Sequence, residues 1–537
     1  MSPRARCVFR RPGARPLTLV ALKPRLLRDS SLYFAGNFIS RAVSLLMIPF
    51  YARHLSTAEY GVLNLVELAT TITAILFGLQ SIGQALTRVY YDERNPAARL
   101  GVVSTALLAA VAGAVLVAAA ASLCARPIAQ AINLPEQVGL LRAGFAAMAF
   151  ATVVEFLLLY QRMCGRARFY LAYSMAQLAG SVSFNVWFIG VLGFGVWGFV
   201  CSKLVVTAAG SLFLLAVVLR DVWVLPSLRQ AVALARFGAP LALSGVCYFV
   251  IHFSDRLFLA RVSRADVGVY SLAYTFAMLL SVLVGDSFAK SWNVSFYRFA
   301  EDDGWQDRFA RVGGWLVFVL AVGAMGISLF GRDLIRVMAP SSYVPPAWLL
   351  PVLVVGYFCR EIGDFFRNML LIDIGAGLVG RIALAGAVLN LVLNAVLIGG
   401  PLGLGIWGAA IATCVTWAVY AVACWVAAQR VHRVRPVVWP LARLLALAAF
   451  ILLAHGAVSP ADRFTTLGAD AGWCCIFLIG SLFLYLNQAQ REDLARLARR
   501  TWDGILSPLR RRGEFSMPSF RDNVRTEGRL GTTDEHR

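Results

Sequence analysis

Pro49-Phe50-Tyr51-Ala52-Arg53-His54-Leu55-Ser56-Thr57-Ala58-Glu59-Tyr60-Gly61-Val62 separates two long apolar runs, 31–53 and 60–83, and a version of it returns far downstream. Leu55-Ser-Thr-Ala-Glu-Tyr-Gly-Val-Leu63 aligns without gaps on Val262-Ser-Arg-Ala-Asp-Val-Gly-Val-Tyr270, an offset of 207. A second pair, Leu192-Gly-Phe-Gly-Val-Trp-Gly198 on Leu402-Gly-Leu-Gly-Ile-Trp-Gly408, lies at an offset of 210. Two separate matches at nearly one spacing imply an internal duplication, and a duplication decides the whole architecture.

Hydrophobic residues make up 59% of the chain and charged residues 15%, whereas soluble domains carry roughly 45–50% apolar residues. A helix needs about 20 mostly apolar residues to cross a hydrocarbon layer about 30 Å thick. Fourteen blocks are expected to do so: 31–53, 60–83, 100–124, 138–161, 169–190, 195–219, 235–255, 268–292, 312–331, 346–371, 381–399, 405–428, 438–458 and 468–487. Segments of about ten residues with alternating polarity, which would mark a membrane barrel, are absent. The expected fold is therefore an all-α polytopic membrane protein.

The repeated motif follows spans one and seven. Six helices separate the copies, so both cross in the same direction, and the two six-helix halves are parallel repeats related by an axis along the membrane normal. This divides the chain into a basic arm (1–30), an N-terminal lobe (31–219), a linker (220–236), a C-terminal lobe (237–428), two additional helices (429–488) and a basic tail (489–537). The tail starts with an amphipathic basic stretch, 489–505, suited to an anionic membrane surface.

A formal charge of +21 invites nucleic acid as a partner, but the positive-inside rule accounts for it better. Arginines crowd one set of alternate loops and both termini, while the other set holds only Arg53, Arg126, Arg256, Arg261, Arg264, Arg332, Arg336 and Arg463. Both termini are thus expected in the cytoplasm. The ten cysteines and five histidines show no metal-ligand spacing. GxxxxGK[ST] and HExxH are both missing, so no metal, cofactor or ATP chemistry is expected.

Ionisable residues inside the spans carry the information, since each costs about 2.5–3.5 kcal/mol to insert. Arg41 falls near the middle of span one, with Asn37 one turn earlier on the same face. It faces either a wet cavity or a structural partner such as Glu67. Lys203 and Arg142 are candidate cavity cations. Arg360 is followed at i+4 by Asp364, which favours local neutralisation. Glu67 and Glu155 suit either proton relay or pairing with arginine. Asp286 with Lys290 reads as a structural pair, and Asp255-Arg256 as the fixture of a helix end. Gly36, Asn37, Asn185, Gly238, Gly245, Asn390 and Asn394 suit close helix packing and interhelical hydrogen bonds; Pro49 and Pro240 suit bends in the leading helix of each half.

Several stretches resemble the bacterial polysaccharide-biosynthesis flippases of the MOP exporter superfamily. They are Ser31-Leu-Tyr-Phe-Ala-Gly-Asn-Phe-Ile-Ser-Arg41, Pro49 to Gly61, Arg88-Val-Tyr-Tyr-Asp92, Phe237-Gly-Ala-Pro240, Ser254-Asp-Arg256, Val267-Gly-Val-Tyr-Ser-Leu-Ala-Tyr274, Asn390-Leu-Val-Leu-Asn394 and Gly405 to Thr413. Arg53, Glu59, Gly61, Asp255, Arg256 and Gly268 are the motif positions. The resemblance implies two six-helix lobes around a central cavity in the bacterial inner membrane. It also implies a polyprenyl-diphosphate-linked oligosaccharide as cargo and membrane lipids as partners, with a polysaccharide polymerase and co-polymerase alongside a monomeric flippase rather than an enzyme. Arg41 would meet the diphosphate, and Arg41→Ala is expected to abolish export at normal protein levels. A drug or small-solute antiporter of the same superfamily, or a membrane-embedded glycosyltransferase or polymerase, are the alternative readings.

Overall fold

The computed structural model describes residues 39–40, 42–93, 96–221, 226–286, 288–289, 292, 305–373, 376–431, 438–457, 463–486, 488 and 490–492. Asn37, Arg41, Lys290, the basic arm and nearly all of the tail lie outside the described residues. Among the described residues every regular element is helical. In the N-terminal lobe α1 (Ile48–His54), α2 (Thr57–Leu76), α3 (Leu79–Asp92) and α4 (Pro96–Leu123) come first. They are followed by the short α5 (Ala125–Ala131), then α6 (Val138–Met163), α7 (Ala167–Asn185) and α8 (Gly195–Asp221). The C-terminal lobe contains α9 (Leu228–Leu259), α10 (Arg264–Leu280), α11 (Trp305–Met338), α12 (Leu349–Asp373), α13 (Ala376–Leu397) and α14 (Ile406–Val431). Two further helices, α15 (Val438–Ala457) and α16 (Arg463–Leu484), complete the chain. Each of the fourteen expected spans falls on one or more of these helices.

Both copies of the repeat adopt the same local structure. The Ser56 hydroxyl accepts from the Glu59 N–H at 3.2 Å while the Glu59 carboxylate accepts from the Ser56 N–H at 2.9 Å, a reciprocal capping box that starts α2. Ser263 starts α10 in the same way, accepting from the Asp266 N–H at 3.1 Å. In the second pair of motifs Gly193 and Gly195 take φ of +68° and +54°, and Gly403 and Gly405 take +55° and +53°. Only glycine enters that region without a Cβ penalty. The turns then close alike: the Phe194 N–H donates to Phe188 O at 2.9 Å and the Leu404 N–H to Leu397 O at 2.8 Å.

Three details depart from the expected spans. Gly78, at φ +69°, breaks the second span, so that α2 and α3 share a crossing expected to be one helix. α9 begins at Leu228, inside the stretch expected to be linker. Pro49 sits in the first turn of α1 after a break at Met47, where its missing N–H leaves no gap in the helical ladder, while Pro240 leaves α9 helical throughout.

Among the described residues, eight helices are long and apolar enough to cross a membrane by length and composition. They bear exposed apolar side chains, including Leu108, Val115 and Leu116 on α4, Leu212 and Phe213 on α8, and Val388 and Val392 on α13, as lipid-facing helices do. α12, with Arg360, Glu361, Asp364 and Arg367, is not among them. The described residues up to 431, with 463–474, form one compact unit; the described residues 438–457 and those from 475 onward form another. Within the first, α2 packs on α10 and α9 packs on α2, α3 and α4, joining the two lobes.

Candidate functional site

Two polar systems lie inside the bundle, one in each lobe. In the N-terminal lobe, Glu67 on α2 accepts from Lys203 on α8 at 3.1 Å. Both side chains are about two-fifths exposed, at 43% and 39%, although each sits well inside an apolar helix. Lys203 is eight residues into α8, about 12 Å along the axis at 1.5 Å per residue. An ion pair at that depth costs less beside water than beside acyl chains. Tyr60, Asn64, Glu67 and Thr71 recur at helical spacing on the same stripe of α2. Glu67 therefore pairs with Lys203 across 136 residues, a partner sequence reasoning passed over in favour of arginine.

Glu155 opens into a pocket of about 230 Å³ between α3 and α6, lined by Leu79, Gly83, Thr87, Thr152, Glu155, Phe156, Leu159 and Arg162. The hydroxyls of Thr87 and Thr152 donate to Gly83 O and Met148 O, leaving their lone pairs free to accept. Arg162 stands over the Tyr170 ring at 5.5 Å. The pocket thus offers several acceptors, one cation and an apolar floor. Arg142 is elsewhere: it is exposed, and its Nε donates to Ser122 O at 3.2 Å, tying the start of α6 to the end of α4. The structure brings it into neither polar system.

In the C-terminal lobe Asp255 and Arg256 are completely or almost completely buried, at 0% and 4% exposed. They stand at the last turn of α9, and their partners tie that helix end to its neighbours. Asp255 accepts from the Tyr270 hydroxyl, from the Thr413 hydroxyl at 3.3 Å and from the Arg256 N–H at 2.8 Å. The Arg256 Nε donates to Ser271 Oγ at 3.0 Å, its Nη1 donates to His252 O at 3.1 Å, and its guanidinium lies over the Tyr274 ring at 4.4 Å. The pair fastens α9 to α10 and α14. Next to it, Ser254 donates to Asn390 Oδ1 at 2.8 Å and receives from Asn394 Nδ2 at 3.0 Å, so these asparagines do make interhelical bonds.

Further along α12, Arg360 lies 3.0 Å from Glu361 and 3.7 Å from Asp364, and it donates to Ser281 Oγ at 2.9 Å. Arg367 lies 2.9 Å from Asp364 and donates to Tyr248 at 2.6 Å; Tyr420 donates to Asp364 at 2.9 Å. Two cations and two carboxylates therefore balance. Arg360 is neutralised first by its sequence neighbour Glu361 and by a network spanning four helices, with Asp364 shared. Glu361, Arg367, Tyr248 and Tyr420 were not singled out from the sequence; the charges of Glu361 and Arg367 within an apolar block could have drawn notice, whereas the two tyrosines gave no signal.

The motif residues serve structure. Glu59 closes the cap of α2, while Arg53 is exposed. Gly61 and Gly268 face each other's helix backbone so closely that a Cβ on either would collide with a carbonyl oxygen, of Arg264 or Thr57 respectively.

Residues 26–292 match the family model described as "Polysaccharide biosynthesis protein". The match covers just under half of the chain. It runs across the whole N-terminal lobe and the first two helices of the second lobe. Among solved structures, "Lipid II flippase MurJ, inward closed conformation" superposes with a TM-score of 0.67 at 11% identity, covering 84% of this chain and 97% of that one. An inward-facing multidrug resistance MATE family transporter of the MOP superfamily gives 0.56 at 16% identity over 73% and 94%. The outward-facing conformation of such a transporter gives 0.51 at 16% over 76% and 94%. These likenesses establish the MOP-type fold. No curated protein matches the chain.

Proposed function

We propose that this protein belongs to the polysaccharide biosynthesis family and flips a polyprenyl-diphosphate-linked oligosaccharide from the inner to the outer leaflet of the bacterial cytoplasmic membrane, with both termini in the cytoplasm. The observation that carries the reading is the half-exposed Lys203–Glu67 pair inside the membrane-spanning bundle. A diphosphate needs a cation in the path, and Lys203 is one held ready by a single carboxylate. An incoming phosphate displaces Glu67 as the ammonium's partner, so the cation is never left bare in a low-dielectric surround. The sugar travels past hydroxyl-accepting groups such as Glu155, Thr87 and Thr152, while the polyprenyl tail stays in lipid. Arg41 and Asn37 are proposed to line the same route, and the buried networks around Asp255 and Arg360 to keep the C-terminal lobe rigid as the lobes rock. The protein makes and breaks no covalent bond in this scheme.

The test begins with a deletion strain, in which the lipid-linked precursor should accumulate in the inner leaflet. Lys203→Ala, at wild-type protein level, is expected to restore no export, and Lys203→Arg to restore most of it. Glu67→Gln should keep export, because the carboxylate is a placeholder. Full export by Lys203→Ala removes the lysine from the route, and a deletion without precursor accumulation removes the cargo.

A further inference from the structure

Glu155 and Arg162 stand seven residues apart on α6, so their side chains leave one face of the helix two turns from each other. The axial distance is about 10.5 Å at 1.5 Å per residue. Both line the pocket between α3 and α6, together with Phe156, Leu159, Thr152 and Thr87. Gly83 keeps its middle open, since a Cβ there would come within 3.0 Å of Leu159 Cδ2. One end of the pocket therefore offers an acceptor-only carboxylate and the other a guanidinium with donors alone. Neither charge is matched inside the protein. Lys203 gives its bond to Glu67 at 3.1 Å, and Arg162 lies over the Tyr170 ring at 5.5 Å. Among the described residues neither Glu155 nor Arg162 forms an ion pair or a hydrogen bond with another side chain. A carboxylate left so in an apolar helix is costly until a cation meets it. A sugar hydroxyl offsets less of that cost than an ammonium does.

We infer that this pocket reads the sugar next to the diphosphate and takes one that carries a free ammonium. A phosphate is held by Arg162, the ring lies against Phe156 and Leu159, and the ammonium meets Glu155. Both charged side chains are long enough to close the axial gap to the span of one ring. Order along the helix selects the source of such a ligand. α6 is long and apolar enough to cross a membrane, and Arg162 is in its last turn, where the bilayer surface and the negative end of the helix dipole favour a cation. Glu155 lies two turns deeper. In a resident phospholipid such as phosphatidylethanolamine the ammonium is on the water side of the phosphate, the reverse of this order. A lipid-linked sugar drawn into the bundle ahead of its phosphate presents the matching order. A uronic acid in the same place would set carboxylate against carboxylate, so acidic sugars are rejected at this position. The inference rests on the flippase reading for the source of the sugar, and on the pocket alone for its charge.

Full-length protein in phosphatidylcholine nanodiscs is titrated by calorimetry with the anomeric phosphates of glucosamine, N-acetylglucosamine and glucuronic acid. The glucosamine probe should bind about tenfold more tightly than the N-acetylated one, the ratio that a hydrogen bond between charged groups supports. The glucuronic acid probe should bind weakest. Glu155→Gln should bring the first two affinities together while keeping a response to phosphate, and Arg162→Gln should weaken all three. Equal binding of the first two probes by the wild-type protein, a comparison that needs no variant to fold, overturns the ammonium assignment. Discs containing phosphatidylethanolamine test the other source. Probe affinity that falls there in wild type but not in Glu155→Gln puts a bilayer headgroup in the pocket and overturns the sugar. Discrimination among the probes by a protein whose deletion traps no lipid-linked precursor keeps the pocket's charge selectivity and sinks the flippase reading. Trapped precursor without discrimination sinks the ammonium site alone.

Discussion

Asp255→Ala should destabilise the C-terminal lobe by about 3–5 kcal/mol, the range found when one member of a buried ion pair is deleted. The reason lies with the group left behind. Arg256 would keep its bonds to Ser271 Oγ and His252 O but lose its counter-charge in a site where it is 4% exposed. Tyr270 and Thr413 would each lose an acceptor as well. Arg256→Ala should cost a comparable amount by stranding the carboxylate. The double replacement should cost less than the sum, because groups in one network are not independent. Equilibrium unfolding of purified protein in mixed micelles measures all three. Additive losses, or an Asp255→Ala protein as stable as wild type, would show that the pair is not the electrostatic unit its geometry describes.

Gly61→Ala and Gly268→Ala are expected to behave in opposition to ordinary glycine replacements in helices. An exposed helical glycine changed to alanine gains up to about 1 kcal/mol through lower backbone entropy. Gly326 on α11, with nothing near where its Cβ would stand, should show that gain. At Gly61 and Gly268 the added methyl meets carbonyl oxygens of the opposing helix, and a backbone cannot swing aside as a flexible side chain can. Overpacking of this kind costs about 1–3 kcal/mol. Once the first methyl has forced α2 and α10 apart, the second meets less resistance, so the double variant should be less damaging than the sum. Thermal unfolding compares the three variants in one series. A stabilised Gly61→Ala would mean that the crossing is looser than the backbone contact implies.

Much of this was open to reading from the chain alone. The fourteen spans follow from length and composition, which are local properties. The duplication showed itself because Ser56 and Ser263, Gly61 and Gly268, and the glycines at 193, 195, 403 and 405 answer local demands of capping, close crossing and left-handed backbone that recur in each copy. Gly78 could have been noticed as a helix stop, yet an apolar run on both sides of it concealed the break. Asp255-Arg256 was legible as the fixture of a helix end, because adjacent opposite charges near the close of a span fit one; Ser271 and Thr413, to which that end is fastened, are distant in sequence. Arg360 followed by Asp364 was legible as a pair, but the spacing said nothing of Ser281 or of Arg367 competing for the same carboxylate.

Sequence by itself determined that the chain is helical, membrane-spanning and doubled, since hydrophobic length and turn chemistry act over a few residues. Tertiary structure alone decided that Lys203 meets Glu67, that Asp255 and Arg256 are buried, and that Asn133 and Tyr343 reach carbonyls of the opposite lobe. Those outcomes depend on which helix faces which. That choice is made by packing and desolvation summed over the whole bundle, and no window along the chain contains it.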